Sequence, residues 1–237
     1  MPDRLIAYRT IRTMATSPPF EAIFDFDGVL ADSLPLIVEL LDRLLRQELG
    51  MHLSDAQLRA AVGPPFRESV AALCVATGST ADDPLVDAVV ERFRAEYGER
   101  VAAETQMFDG VEDALAAIGD VARLSICSSK PRPLIDAILA AWGASDVFAD
   151  IEAPAFGAGE AKAIGLARLH ARSGAVLSRA ALIGDTVFDA RAAAATATPF
   201  VGVGWGVGAA DDLRAAGACR IAATPPDLVG IIHELAR

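Results

Sequence analysis

The residues best suited to chemistry in this chain are carboxylates placed where apolar segments run out. In "EAIFDFDGVLADS", residues 21–33, Ala22, Ile23, Phe24 and Phe26 read as a buried strand over 21–26, and Asp25 and Asp27 interrupt its end. A buried charge is costly unless it is paired, hydrogen-bonded or bound to a metal. Alternate residues of a strand face the same way, so this spacing puts both side chains on one face with Cα atoms about 6.7 Å apart. An Asp-Gly hairpin turn at Asp27-Gly28 would explain the pattern too. It fails because "VLADS" is too short for a partner strand before Ser33 opens a helix. The pair therefore reads as catalytic or metal-binding, as clustered carboxylates often are.

A second acidic group has the same form. "AALIGDTVFDA", 180–190, is an apolar strand ending in Gly, then Asp185 and, four residues on, Asp189. Asp185 could simply cap a helix with Asp189 in solvent. In an open parallel sheet, however, the carboxyl ends of the strands share one edge, where ligands bind. Asp25, Asp27 and Asp185 would converge there, and hard oxygen ligands with room for water suit Mg²⁺. The third element is "RLSICSSKPRP", 123–133, a strand followed by Ser128, Ser129, Lys130 and a Pro-bounded turn. A hydroxyl and free backbone N–H groups ahead of a helix can form an anion site, or no more than an ordinary cap. Lysine usage adds to this: of 21 basic residues only Lys130 and Lys162 are lysines. A compact ammonium can contact one phosphoryl oxygen where a guanidinium fork does not fit. Lys162 could equally be an ordinary first-turn helix residue.

The elements that must position these groups alternate. Strands are expected at 21–26, 122–127, 147–152, 180–184, 199–203 and 219–222. Helices are expected at 111–118, 132–142, 160–172, 187–195, 209–216 and 226–236. Strands alternating with helices imply right-handed crossovers and a Rossmann-like parallel α/β sheet covered on both faces. Residues 34–104 hold no convincing strand. There Ser33 caps a helix with an apolar stripe of Leu34, Ile37, Leu41, Leu44, Leu45 and Leu49, ended by Gly50. "SDAQ" at 54–57 is a capping box, "GPP" at 63–65 a turn, and "DDP" at 82–84 a helix start. The domain expectation is an N-terminal extension over 1–19, an α/β core of 20–33 with 105–237, and an inserted helical cap of 34–104 hinged near 33 and 105.

Composition narrows the class. At 237 residues the chain can bury a sizeable core, and it has no run of 18 apolar residues, which argues against a membrane span. A net charge of −11 without a basic stripe argues against nucleic acid, though a local cation can still draw a small anion into a cleft. Cys74, Cys127 and Cys219 form no CxxC pair, and residues 1–19 lack a secretory leader's apolar core, so a cytoplasmic location with buried thiols is expected. Cys127 has no His near it in sequence and reads as core. Met14 is an alternative start to Met1. The oligomeric state is left open by the sequence.

With these motifs in order, the chain resembles the haloacid dehalogenase superfamily, especially its phosphoglycolate phosphatase-like members with a helical cap. "DFDGVLADS" matches the first motif, "SICSSK" the second, "GEAKAIGLARL" loosely the third and "IGDTVFDA" the fourth; "GPPFRES" at 63–69 and "GVGWGVGAADDLRAAGA" at 202–218 extend the likeness. The resemblance implies that Asp25 is a nucleophile forming an aspartyl-phosphate and Asp27 the acid/base. It implies Mg²⁺ on the Asp25 carboxylate, the Asp27 carbonyl and Asp185, with Asp189 orienting metal-bound waters or Lys162. Ser128 and Lys162 would hold the phosphoryl oxygens, with Ser129 and Gly28 beside the substrate. Three departures stand out: no Lys-Pro pair precedes Lys162, Ser129 replaces a frequent Asn, and "FDGV" at 108–111 replaces a Pro-Gly turn. Arg67 in "GPPFRES" is a candidate contact for the far end of a small phosphorylated metabolite, or else a solvated cap residue. The implied activity is hydrolysis of a small phosphomonoester. A sugar-phosphate mutase of the beta-phosphoglucomutase kind is the nearest alternative, and a non-catalytic phosphate-binding or receiver module a more distant one. A dehalogenase would have no use for an acid at Asp27 or for Mg²⁺.

Overall fold

Phe20–Phe24 form the first strand, β1, and all five residues are buried. In the computed structural model, which describes residues 20–62, 66–78, 82–156, 161–174 and 179–237, the strand stops one residue before Asp25 rather than continuing to 26. The expectations for residues 1–19, for the "GPP" turn and for Gly159 and Glu160 of the third motif lie outside the described residues. After a tight turn comes a two-residue strand, β2 (Ala31–Asp32), then α1 (Leu34–Leu49), α2 (Asp55–Ala60), α3 (Phe66–Ala76) and α4 (Asp83–Glu104). The chain then alternates through β3 (Gln106–Met107), α5 (Val111–Gly119), β4 (Ala122–Cys127), α6 (Arg132–Trp142), β5 (Asp150–Glu152) and α7 (Lys162–Ser173). It ends with β6 (Ala180–Gly184), α8 (Val187–Ala195), β7 (Phe200–Val203), α9 (Ala210–Ala215), β8 (Arg220–Ala222) and α10 (Pro225–Leu235).

The chain divides into two compact units, one of residues up to Asp32 with Gln106–Arg237, the other Ser33–Thr105. In the first, six strands pair in the order β5-β4-β1-β6-β7-β8, every neighbouring pair parallel. The chain runs outward from β1 through β4 to β5, then crosses back to β6 on the other side, so strand order reverses beside β1. That reversal is where a parallel sheet opens a crevice at its carboxyl edge. Beneath α7 and α8 a core of Ile23, Cys127, Leu166, Leu169, Leu182 and Phe200 is buried. Each such aliphatic or aromatic side chain contributes about 1.5–3 kcal/mol on leaving water, which makes the strand positions hard to shift.

One strand expectation changes in detail, and two features go beyond what the sequence indicated. The strand expected at 147–152 is only Asp150–Glu152, because Phe148 turns into the core, edge-on to Phe24 with centroids 6.4 Å apart. Glu21 is a buried acid inside β1, where Ser125 Oγ on the neighbouring strand donates to it at 2.7 Å. The connections on either side of the helical unit lie side by side, Ala31 opposite Met107 and Asp32 opposite Gln106, as a short antiparallel ladder.

The helical unit is built on the α1 stripe, whose buried residues are Leu36, Leu40, Leu41, Leu44 and Leu45. Leu34, Ile37 and Leu49 are half-buried, so the stripe is centred slightly off the expected one. Ser33 sits at the helix start without a capping hydrogen bond, because its own backbone is already helical (φ −91°, ψ −13°) and Pro35 occupies the first turn. The Ser54–Gln57 capping box forms, Asp82 caps α4 through the Leu85 N–H, and Gly50 ends α1 in the left-handed region. Arg43 with Glu96, Arg92 with Glu48 and Arg100 with Glu39 tie α4 to α1, and Phe66, Phe93 and Tyr97 stack between α3 and α4.

Candidate active site

Three strands of the sheet end in register, and the first residue past each is polar. Phe24 of β1 lies opposite Ile126 of β4 and Ile183 of β6. One or two residues on come Asp25, Ser128 and Asp185, so a chain whose strands stop for lack of apolar residues delivers all three to one edge. Asp25 keeps its backbone in the ladder, its N–H donating to Ile183 O at 2.8 Å. Its carboxylate accepts from the Phe26 N–H at 2.7 Å through one oxygen and meets Lys162 Nζ at 2.8 Å through the other. The Ser128 hydroxyl favours the charged form of this carboxylate. Lys162 opens α7, and its ammonium is shared with Asp189 in the first turn of α8.

Asp189 is completely buried and does two jobs. One oxygen meets Lys162; the other accepts from Thr186 Oγ1 at 2.7 Å and the Thr186 N–H at 3.0 Å, closing a capping box at the start of α8. The helix cap thus aims the carboxylate. Burial alone would depress the Lys162 ammonium, but Asp189 and Asp25 together outweigh it and hold it above the usual lysine range. Burial pushes the Asp25 carboxyl up to about 6 against the pull of Lys162. Cys127, behind this group, is driven up to about 12 by burial, so its thiol is a packing residue here, not a nucleophile.

Asp185 is seated by a loop that follows β7. Val207 N–H donates to its Oδ2 at 2.8 Å and Gly208 N–H to its carbonyl at 3.0 Å. The approach is so close that a Cβ on Gly206 would lie 2.3 Å from the Asp185 Cβ. A Cβ on Gly28, whose φ of +80° already favours glycine, would lie 2.2 Å from its Oδ2. Asp185 Oδ1 is left buried with no hydrogen-bond partner. Burial first, and the Asp25 charge second, push this carboxyl up to about 7.

These observations bear on a cation. Oxygens of Asp25, Asp185 and Asp189 all lie within 4.8 Å of one another, and all three residues are buried. Two like charges at that separation repel by about 3.5 kcal/mol at an effective dielectric of about 20. Lys162 offsets one of the three charges. A hard divalent ion fits the remainder: the donors are carboxylate oxygens, the excess charge is two, and Asp185 Oδ1 has a buried lone pair to give.

Asp27 is not among the three acids of that group. β1 ends at Phe24, and Phe26 beyond it is completely buried. Asp27 is turned to Lys130, whose Nζ lies 2.9 and 3.2 Å from its two oxygens. The chain's two lysines therefore hold its first-motif carboxylates one each. Ser129 is exposed beside them. Arg67 lies in the helical unit, where its Nε pairs with Asp87 at 2.6 Å. The sequence assigns no role to Thr186, Gly206 or Val207, and it places Lys130 only beside a possible anion site. The rarity of lysine was a signal for Lys130, and "TVFD" as a capping pattern was one for Thr186. Val207 acts through its backbone, which no residue type announces.

Comparison with known proteins bears on the family and the fold. A family model for haloacid dehalogenase-like hydrolases matches residues 22–203. A phosphoglycolate phosphatase from Caulobacter vibrioides is 34% identical over 185 residues, covering 77% of this chain and 78% of that protein. Tyrosine-protein kinase PtkA from Mycobacterium tuberculosis is 33% identical over 203 residues, covering 83% of this chain and 67% of that one. A solved haloacid dehalogenase-like family hydrolase from Streptococcus pneumoniae superposes with a TM-score of 0.79, covering 90% of this chain and 98% of that one; at 23% identity this likeness speaks for the fold alone.

Proposed function

The chain belongs to the haloacid dehalogenase-like hydrolases, and on that premise we propose that it is a Mg²⁺-dependent phosphatase that cleaves a small phosphomonoester through an aspartyl-phosphate on Asp25. One observation carries the reading: the Asp25 carboxylate, one residue past the central strand, is gripped by Lys162 at 2.8 Å and shares its acidic group with the unpartnered Asp185 Oδ1.

In the first half-reaction an Asp25 oxygen attacks phosphorus, the ester P–O bond breaks, and the Asp27 proton goes to the leaving oxygen. The alcohol departs and the phosphoryl group stays on Asp25. In the second, Asp27 takes a proton from water as the water oxygen attacks phosphorus, which releases inorganic phosphate and restores Asp25. Ser128 and Lys162 would hold the phosphoryl oxygens, cation and hydroxyl together offsetting charge that develops there. A divalent cation held by Asp25, Asp185 and the Asp27 carbonyl, with Asp189 completing the acidic group, would neutralise charge so that an anionic carboxylate can approach an anionic ester. The cap role of the helical unit and the substrate contact by Arg67 belong to the same proposal.

The likeness to a phosphoglycolate phosphatase supports a small phosphorylated acid as substrate. The likeness to a tyrosine kinase favours a second reading, in which an acceptor other than water takes the phosphoryl group. Release of inorganic phosphate from an aryl phosphate, measured against phosphate transferred to an acceptor, separates the two. Asp25→Asn is expected to abolish Mg²⁺-dependent turnover, and wild-type turnover in that variant would show the nucleophile to be wrongly assigned.

A further inference from the structure

The side chain that faces Asp27 is itself held in place by aromatic packing. Lys130 is buried, with only 3% of its side chain exposed, while the Asp27 carboxylate it grips is about one third open. Its ammonium lies over the ring of Phe26, 5.9 Å from the centroid, within the range of a cation–π contact. Phe26 is completely buried and stacks in turn on Trp142 at the end of α6, centroids 5.7 Å apart and planes 14° from parallel. At the other end, the Lys130 backbone N–H donates to Ser128 Oγ at 3.3 Å, and Pro131 fixes the chain as it enters α6. An ammonium so enclosed has little freedom, and it engages both oxygens of Asp27.

We infer that Lys130, backed by the Phe26–Trp142 stack, is a positioning residue that sets the direction in which Asp27 presents its proton to the leaving oxygen. This rests on the acid/base role proposed for Asp27. As ester enters, one Asp27 oxygen turns to the departing oxygen and the other stays with Lys130. The proton then passes along a fixed line as the P–O bond breaks, leaving Asp27 as the carboxylate that later accepts the proton of water.

Proton transfer matters most when the leaving group is poor. The test compares kcat/KM, which reports the first half-reaction, for 4-nitrophenyl phosphate and for glycerol phosphate. Lys130→Met is expected to lower kcat/KM on the alkyl ester about 10- to 100-fold, part of the usual general-acid contribution. On the aryl ester the expected loss is under about threefold by the same reasoning, because that leaving group departs without help. KM on both should change little. Trp142→Ala should reproduce the alkyl-selective loss at smaller size, and Trp142→Phe, which keeps a ring under Phe26, should restore it. This pair carries the test if Lys130→Met does not fold. Equal losses on both esters, or none, with Asp27→Asn inactive on the alkyl ester, would overturn the positioning role alone. Full alkyl-ester activity in Asp27→Asn would overturn the acid/base reading and the positioning role with it.

Discussion

Gly206→Ala tests whether the loop after β7 is the seat of Asp185. The added methyl would lie 2.3 Å from the Asp185 Cβ, 2.4 Å from its Oδ2 and 2.6 Å from Gly28 O. Ordinary contact begins near 3.4 Å, so some atom has to move by about 1 Å. One neighbour, Asp185 Oδ2, is a side-chain end, but the Val207 N–H holds it at 2.8 Å; the others are a Cβ and a backbone carbonyl. Asp185 is anchored by β6 and by the Gly208 N–H, and Gly28 by a tight turn whose N–H reaches Ala31 O at 2.9 Å. Overpacking of this kind typically costs about 1–3 kcal/mol of stability, which lowers the thermal midpoint by roughly 2–12 °C at this size. A 1 Å misplacement in a reacting group costs about 100-fold in rate, equivalent to about 2.7 kcal/mol of transition-state stabilisation. The assay is phosphate release from 4-nitrophenyl phosphate across a Mg²⁺ titration, with melting curves in parallel. The expected result is a kcat lowered about 100-fold and a half-saturating Mg²⁺ concentration raised at least about tenfold, in a protein still folded at 25 °C. Gly230→Ala serves as the control, since nothing lies within 4 Å of its added methyl and it sits in α10. Gly206→Ala with wild-type kcat and Mg²⁺ dependence would refute the seating argument, whatever happened to its melting point.

Two other outcomes are expected from the same geometry. Thr186→Ala removes the hydroxyl that caps α8 and steadies Asp189, and should cost about 0.5–2 kcal/mol in denaturant unfolding; Thr186→Ser, which keeps the oxygen, should recover most of it. In a chelator, Asp25 at about 6 and Asp185 at about 7 bind protons more tightly folded than unfolded, where each titrates near 3.8. Their contribution to stability is therefore greatest at low pH and is lost as pH rises from about 4 through about 7. Calorimetry in chelator at pH 5 and pH 8 should show the higher midpoint at pH 5. Asp185→Asn should flatten that slope, and an unchanged slope in the variant would contradict the assignment.

Much of this protein was legible in one dimension. β4 and β6 start and stop where the residue pattern put them, because an apolar run bounded by turn residues is a local signal. The placement of Asp25, Ser128 and Asp185 at strand ends comes from the same runs once the strands are parallel. Less legible were β1 and β5, whose ends depend on Phe26 and Phe148 finding partners in the core, Trp142 and Phe24, rather than continuing a ladder.

The sequence by itself determined which residue types arrive at the carboxyl edge of the sheet, since period and punctuation are properties of a segment. Only the tertiary structure decided who faces whom. It paired Asp27 with Lys130, gave Lys162 to Asp25 and Asp189, and brought the backbone of Val207 under Asp185. It also set Arg67 against Asp87. Those pairings join residues 20 to more than 130 positions apart, and a carboxylate's partner is chosen by distance and direction in space. A segment's composition carries neither.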